Sequence, residues 1–319
     1  MRWIIERRGR ERGAVAVMVA ISMVVMMGFA ALAIDLGGAY SERQQLQNGA
    51  DASALAIAQD CAAARSSCAT ATGTANQYVD ANKLDGAYNS VTVAKGSNSV
   101  MVATTYTRTN WFAGVIGIPT TDVSAQASAQ WGPVSSGSTL PLTFSLTCFS
   151  SATKGWDGSG LPNVSIEVIA NIKDKVCTNP AHNEVNGGFG WLASDGCAAR
   201  MNIGGWVDSQ NGAAGPSSDC ESFWKKLQDQ TALIPLFDSF QATGSDKGYH
   251  IAGMASFTVT GYCFTKFDWN VAKCNGSASA KSDSGPRVVG KFTKWTPNGD
   301  YTIDPNGGHY GAEGVKLVS

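Results

Sequence analysis

The chain has 319 residues, a formal net charge of −1, 15% charged side chains and 44% hydrophobic ones. The near-neutral balance excludes a nucleic-acid binder held by phosphate neutralisation. Few charges together with 36 glycines suit loop-rich β structure outside the cell better than a charged cytosolic enzyme, and the length fits an anchor plus one large or two modest domains.

The N-terminal tail, residues 1–13, is basic: Arg2, Arg7, Arg8, Arg10 and Arg12 outnumber Glu6 and Glu11. From Ala14 to Ile34 follow 21 residues without a charge. As a helix they reach about 31 Å, close to the roughly 30 Å hydrocarbon core of a bilayer. Asp35 then marks the far end. The excess of arginine before the run predicts a single-pass segment with a cytoplasmic N-terminus and an extracytoplasmic remainder. Two forms of processing compete with an uncleaved anchor. A signal peptide would use Ala31-Leu32-Ala33, but its apolar core is normally about 7–15 residues. A prepilin-type leader would be cut after Gly13, yet Met18 stands where such sequences usually carry Glu. The uncleaved anchor is the simplest reading.

Beyond the span, Leu46, Ala50, Ala54, Ile57 and Cys61 recur at helical spacing and share one face. They predict a helix from Tyr40 towards Ala64 that continues the span, although Gly37, Gly38 and Gly49 count against strict continuity. The small residues on this face permit close approach of a neighbour, either another subunit's helix or the chain's own domain.

Three runs now stand in order: Arg12-Gly13-Ala14-Val15-Ala16-Val17, Gly28-Phe29-Ala30-Ala31-Leu32-Ala33-Ile34-Asp35-Leu36-Gly37, and Leu46-Gln47-Asn48-Gly49-Ala50-Asp51-Ala52-Ser53-Ala54-Leu55-Ala56. This order resembles the N-terminal module of the TadG-like family of the tight-adherence (Flp-type) pilus system. The resemblance implies a membrane-anchored protein with a role in pilus assembly. Asp51-Ala52-Ser53-Ala54-Leu55 begins like the Asp-x-Ser-x-Ser metal site of the von Willebrand A domains that some TadG relatives carry. Its fifth residue is Leu and it sits in the helix, so that site is not expected here.

From Thr72 to Trp131 the pattern becomes mixed. Asn76 to Asn82 reads as a short helix, and Val91 to Ala94 and Val100 to Thr107 as a hairpin around Lys95-Gly96-Ser97-Asn98. Trp111, Phe112, Val115 and Ile116 suggest a short helix stopped by Gly117-Ile118-Pro119. Val123 to Trp131 alternates like a half-buried strand. A helix followed by such a unit, residues 35–131, is also what pilin-like proteins resemble. Gly132-Pro133-Val134-Ser135-Ser136-Gly137-Ser138 is the linker candidate, assigned to 132–139.

A β-rich region over 140–319 follows. Leu140 to Leu146, Val164 to Ile172, Thr231 to Phe237, Tyr249 to Phe264 and Arg287 to Trp295 read as strands, and Ser222 to Gln230 as a short helix. The stretch Gly187 to Leu192 reads as loop or bulged edge. Together with Ile234-Pro235-Leu236-Phe237-Asp238 and Ser256-Phe257-Thr258-Val259-Thr260-Gly261-Tyr262, it resembles the C-terminal part of actinobacterial TadG-like proteins. The predicted fold class is α+β: a membrane helix running into an extracytoplasmic helix, a small pilin-like unit, then a disulfide-stapled β domain.

All eight cysteines, Cys61, Cys68, Cys148, Cys177, Cys197, Cys220, Cys263 and Cys274, follow the span. An even number on the oxidising side predicts disulfides. Sequential pairing, 61–68, 148–177, 197–220 and 263–274, joins each cysteine to its neighbour in the chain. No Cys-x-x-Cys pair favours zinc.

No catalytic pattern emerges. His182, His250 and His309 lack partners at metal-ligand spacing, and there is no nucleophile elbow, zinc helix or P-loop. Asp300, Thr302, Asp304 and Asn306 alternate like calcium ligands, but Pro305 stands where such a loop needs Gly, so a turn-rich tail is expected. Trp156, Trp191, Trp206, Trp224, Trp269 and Trp295 either fill a core or form an aromatic binding surface, and the core is favoured. The leading reading is a non-enzymatic, cofactor-free membrane protein that assembles or anchors a tight-adherence pilus with pilin-like partners. The alternatives are a membrane-tethered module binding cell-wall polymer or glycan, and a processed pilin-like subunit.

Overall fold

The computed structural model describes residues 3–86, 88–153, 165–169, 189–192, 197–209, 216–241, 248–264, 266–271, 287–295, 297 and 300–318. Helix α1 (Trp3–Ala62) is one uninterrupted helix of 60 residues, about 90 Å long. Its two halves differ in kind. Side chains from Gly13 to Ile34 are almost all exposed, whereas beyond Asp35 the helix buries the face of Leu46, Ala50, Ala54 and Ile57. Gly38 and Gly49 do not break it. Each instead admits a neighbour: a Cβ at Gly38 would collide with the Arg108 guanidinium, and one at Gly49 would lie 3.1 Å from Val79 Cα.

The Cys61–Cys68 disulfide turns the chain into α2 (Ala71–Asn82), which packs its Ala71, Ala75 and Val79 side on α1. The expected start at Asn76 therefore lies five residues too late. Strands β1 (Ser90–Lys95) and β2 (Ser99–Thr109) form the expected hairpin, with Lys95 opposite Val100. A 3₁₀ turn over Ala113–Ile116 then leads into β3 (Thr120–Thr139), a strand of 20 residues.

β3 organises everything after the apolar half of α1. Up to Trp131 it alternates buried and exposed side chains, with its apolar face against α1. From Gly132 to Val134 every residue is buried. The segment 132–139, expected as a linker, is thus strand. Its small residues mark close approach rather than freedom: a Cβ on Gly132 would sit 2.9 Å from Pro305 Cα, and one on Gly137 would sit 3.2 Å from the Leu233 side chain.

The remaining elements are β4 (Leu142–Ser145), α3 (Leu146–Ala152), β5 (Ser165–Ile169), β6 (Phe189–Trp191), β7 (Ala199–Asn202), β8 (Trp206–Val207), α4 (Glu221–Lys226), β9 (Thr231–Gln241), β10 (Gly248–Cys263), β11 (Asp268–Trp269), β12 (Arg287–Thr293), β13 (Tyr301–Ile303) and β14 (Glu313–Val318). One sheet runs β1-β2-β3-β13, with β14 and β7 also on β3. The C-terminal strand β14 returns to residues 128–133 of β3, on the edge opposite β2. The chain end therefore belongs to the first sheet rather than to a separate C-terminal domain. The second sheet runs β5-β12-β10-β9-β4-β6, with β8 and β11 on β10. It is antiparallel except for β4 against β9.

Among the described residues four apolar clusters hold this together, the smallest of them Leu46 on α1 with Val123 and Ala125 of β3. One lies between α1, α2 and the first sheet, and one under the second sheet with α3 and α4. A third, including Val134, Met201, Leu233, Phe237, Ile251 and Ala312, joins the two sheets. β10 buries both faces, and its register shifts at His250/Ile251, Ile251/Gly253 and Val259/Gly261 explain why simple alternation does not describe it. The disulfide Cys197–Cys220 forms as expected, and Cys148 and Cys263 are also disulfide-bonded. Their expected partners Cys177 and Cys274 lie outside the described residues.

Candidate functional site at the helix exit

Where α1 leaves its apolar half, one carboxylate gathers a loop 76 residues away. Asp35 is only 6% exposed. Its Oδ1 accepts the Trp111 N–H at 2.9 Å, and its Oδ2 accepts those of Phe112 at 3.0 Å and Ala113 at 2.7 Å. Arg108 Nη1 stands 3.7 Å from Oδ1 and donates to Asn110 Oδ1 at 3.1 Å. The guanidinium lies over Gly38, where any side chain would displace it. Asn110 then closes the loop, bonding Ile118 O at 3.1 Å and Thr121 Oγ1 at 2.8 Å through Nδ2, while its N–H reaches Pro119 O at 2.9 Å. Gly117 ends the 3₁₀ turn at φ +89°, a conformation costly for residues with a Cβ.

Burial opposes ionisation of Asp35. The amide bonds from Ala113, Trp111 and Phe112, with the Arg108 charge, outweigh that and hold its pKa below the usual carboxylate range. A folded pKa below the unfolded one means that the clamp is complete above about pH 4 and is lost only as pH falls through the depressed value. In Asp35→Asn the ionised acceptor disappears. Amide hydrogen exchange of the full-length protein should then quicken at Trp111, Phe112 and Ala113, leaving β9 and β10 unchanged. Equal protection in the variant would show that the carboxylate does not hold the loop.

The loop itself carries Trp111, Phe112, Val115, Ile116 and Ile118, all exposed; Trp111 is 77%, Val115 87% and Ile116 75% accessible. The short helix expected here is a 3₁₀ turn, and it buries none of its own residues. A second tie lies further along α1. Lys83, at the end of α2, is buried, ion-pairs with Glu42 and Asp85, and sits 4.4 Å from the Tyr106 ring centroid. Burial would lower its pKa, but the bonds to Asp85 and Glu42 prevail and raise it.

The helix face offered for partners has a different use. Leu46, Ala50, Ala54 and Ile57 are fully buried against the chain's own α2 and first sheet. These four side chains serve intramolecular packing. Ser53, buried on the same helix, donates its hydroxyl to Gly49 O and Ala75 O.

The family comparison matches residues 13–65 to Tad, described as putative Flp pilus-assembly TadE/G-like. Most of α1 is therefore similar to a TadE/G-like segment. No curated protein and no solved structure matches the chain. The TadE/G-like match contains the apolar run, Asp35, the buried helix face and Cys61, and it stops before the Trp111–Ile118 loop that Asp35 holds. The run itself is long and apolar enough to cross a membrane. Arg7, Arg8, Arg10 and Arg12 fall on the first turns of α1.

Elsewhere the predicted candidates stay apart. Trp191 and Trp224 lie in the core, Trp269 and Trp295 are half-buried, Trp206 is at the surface, and Trp156 is outside the described residues. His250 Nδ1 pairs with Asp238 at 2.8 Å and His309 Nδ1 with Glu313 at 2.7 Å, and His182 is not described. Asp304 closes a turn on Asn306 N–H, while Thr302 lies in β13. Among the described residues no three His, Cys, Asp or Glu side chains form a metal-binding group. The sequence signal for the exit site was five large apolar residues in eight positions between turn signals, with no periodicity to bury them.

Proposed function

We propose that this protein is a non-enzymatic, single-pass membrane component that assembles or anchors a tight-adherence (Flp) pilus, with its N-terminus cytoplasmic and residues from Asp35 onward extracytoplasmic. The observation that carries the reading is the TadE/G-like match over residues 13–65, which coincides with the membrane-length half of α1 and its continuation. The arginines before the span support the orientation, and the disulfides beyond it fit an oxidising compartment. In this role the span tethers the protein. β3, at about 3.3 Å per residue, carries the second sheet away from the anchor to meet pilin-like partners or the wall.

Deleting the gene should abolish surface pili and pilus-dependent adhesion, and a plasmid copy should restore both. Normal piliation in the deletion strain would sink the proposal. Protease added to intact spheroplasts should degrade the region after Asp35 and spare a tag at the N-terminus; the reverse pattern would invert the topology.

A further inference from the structure

We propose that the Trp111–Ile118 loop is a second membrane contact, seated in the interfacial region of the leaflet from which α1 emerges, so that the protein touches the bilayer at two places. The proposal rests on the reading that residues 14–34 span the membrane. Three observations carry it together. First, the loop exposes five large apolar side chains within eight residues, Trp111, Phe112, Val115, Ile116 and Ile118, and residues 111–119 contain no charge. Second, its height is fixed. Three of its amides bond Asp35, the first residue after the uncharged run, at 2.7–3.0 Å, so the loop is locked level with the end of the span. Third, its backbone is prepared for low-dielectric surroundings. Beyond the amides held by Asp35, the N–H groups of Val115, Gly117 and Ile118 donate to Phe112 O, Gly114 O and Ala113 O, which lowers the cost of leaving water.

The chemistry favours lipid over a protein groove. Tryptophan prefers the level of the headgroups, where its ring is half apolar and half wet, and Tyr40, also exposed, stands on α1 just above the same level. The β2–β3 hairpin tip thus faces the bilayer, and two anchorage points, joined through Asp35 and Arg108, fix the tilt of the first sheet against the membrane. A single helix would leave the protein free to swivel.

The test uses the full chain in phosphatidylcholine–phosphatidylglycerol vesicles. Single variants Val115→Cys, Val24→Cys and Met101→Cys carry an environment-sensitive fluorophore, and quenching is read with lipids that bear a spin label at defined acyl depth. The Val24 label, in mid-span, reports on the span itself. Met101, exposed on β2, reports water. The proposal expects the Val115 label to lose most of its emission to shallow quenchers, the Val24 label to deep ones and the Met101 label to neither. Quenching at Val24 with none at Val115 overturns the lipid contact while leaving the span intact. A Val115 label that is shielded from water yet unquenched by lipid, increasingly so at higher protein density, overturns it in favour of a protein partner. Absence of quenching at Val24 means that the span reading itself fails.

Discussion

A Trp224→Ala variant is expected to lose about 3–5 kcal/mol of unfolding free energy, the range for removing a large buried aromatic side chain. Trp224 is fully buried on α4, a helix of only six residues that has almost no stability of its own. Its indole meets the Phe264 ring at 4.7 Å and the Tyr262 ring at 5.5 Å, both edge-on, in the cluster that contains the β10 aromatic residues. The contribution is apolar, because Nε1 finds no acceptor among the described residues. Trp224→Phe, which keeps a ring and deletes the unpaired donor, should therefore cost far less than the alanine variant. Trp206→Ala, at the surface on β8, should fall within about 0.5 kcal/mol of the parent. Urea unfolding of the full-length protein in detergent, followed by near-UV circular dichroism, separates the three. An unchanged midpoint for Trp224→Ala with loss of binding to wall glycan would instead make the tryptophans a recognition surface.

Strands with a clear local pattern were legible in the sequence. β1, β2, β9, β10 and β12 fall within a few residues of their expected positions because β-branched and aromatic residues recur there between turn signals. The 60-residue helix was legible as a span that continues into the next helical stretch, and the structure shows it unbroken through Gly37, Gly38 and Gly49, which had counted against strict continuity. What could not be read was set by distant partners. β6, β7, β8, β11 and β13 are two to four residues long and carry no period of their own. The Gly-Pro-Val-Ser run of β3 has a linker's composition, yet Pro305 and Leu233 press against it from sequence positions far away. Asp35 was recognisable as the end of the span, but nothing local announces that it holds Trp111 to Ala113. The exit site therefore had half its signal in hydropathy and half in a contact that only folding creates.

The second large effect falls on α1 itself: Ile57→Ala should cost about 2–5 kcal/mol, and Ile57→Val about 0.5–1.5. The members of the first core that α1 contributes are Ala50, Ala54, Ile57, Ala58 and Ala62. Four alanines let the helix ride close on β2 and β3, and Ile57 is the one large side chain that α1 adds to a cluster that also holds Val100, Val102, Ala129 and Trp131. Small neighbours cannot reach into the void that its truncation leaves, so little of the lost contact can be recovered by collapse. The consequence extends beyond stability. α1 is both the core helix of the first sheet and, ahead of Asp35, an apolar run long enough to cross a membrane, so a loosened Ile57 contact weakens the link between that run and the two sheets. If the same face served a partner helix, the isolated full-length protein would unfold normally with Ile57→Ala and only assembly would suffer. A lowered unfolding midpoint in the purified variant is the result that the buried geometry requires.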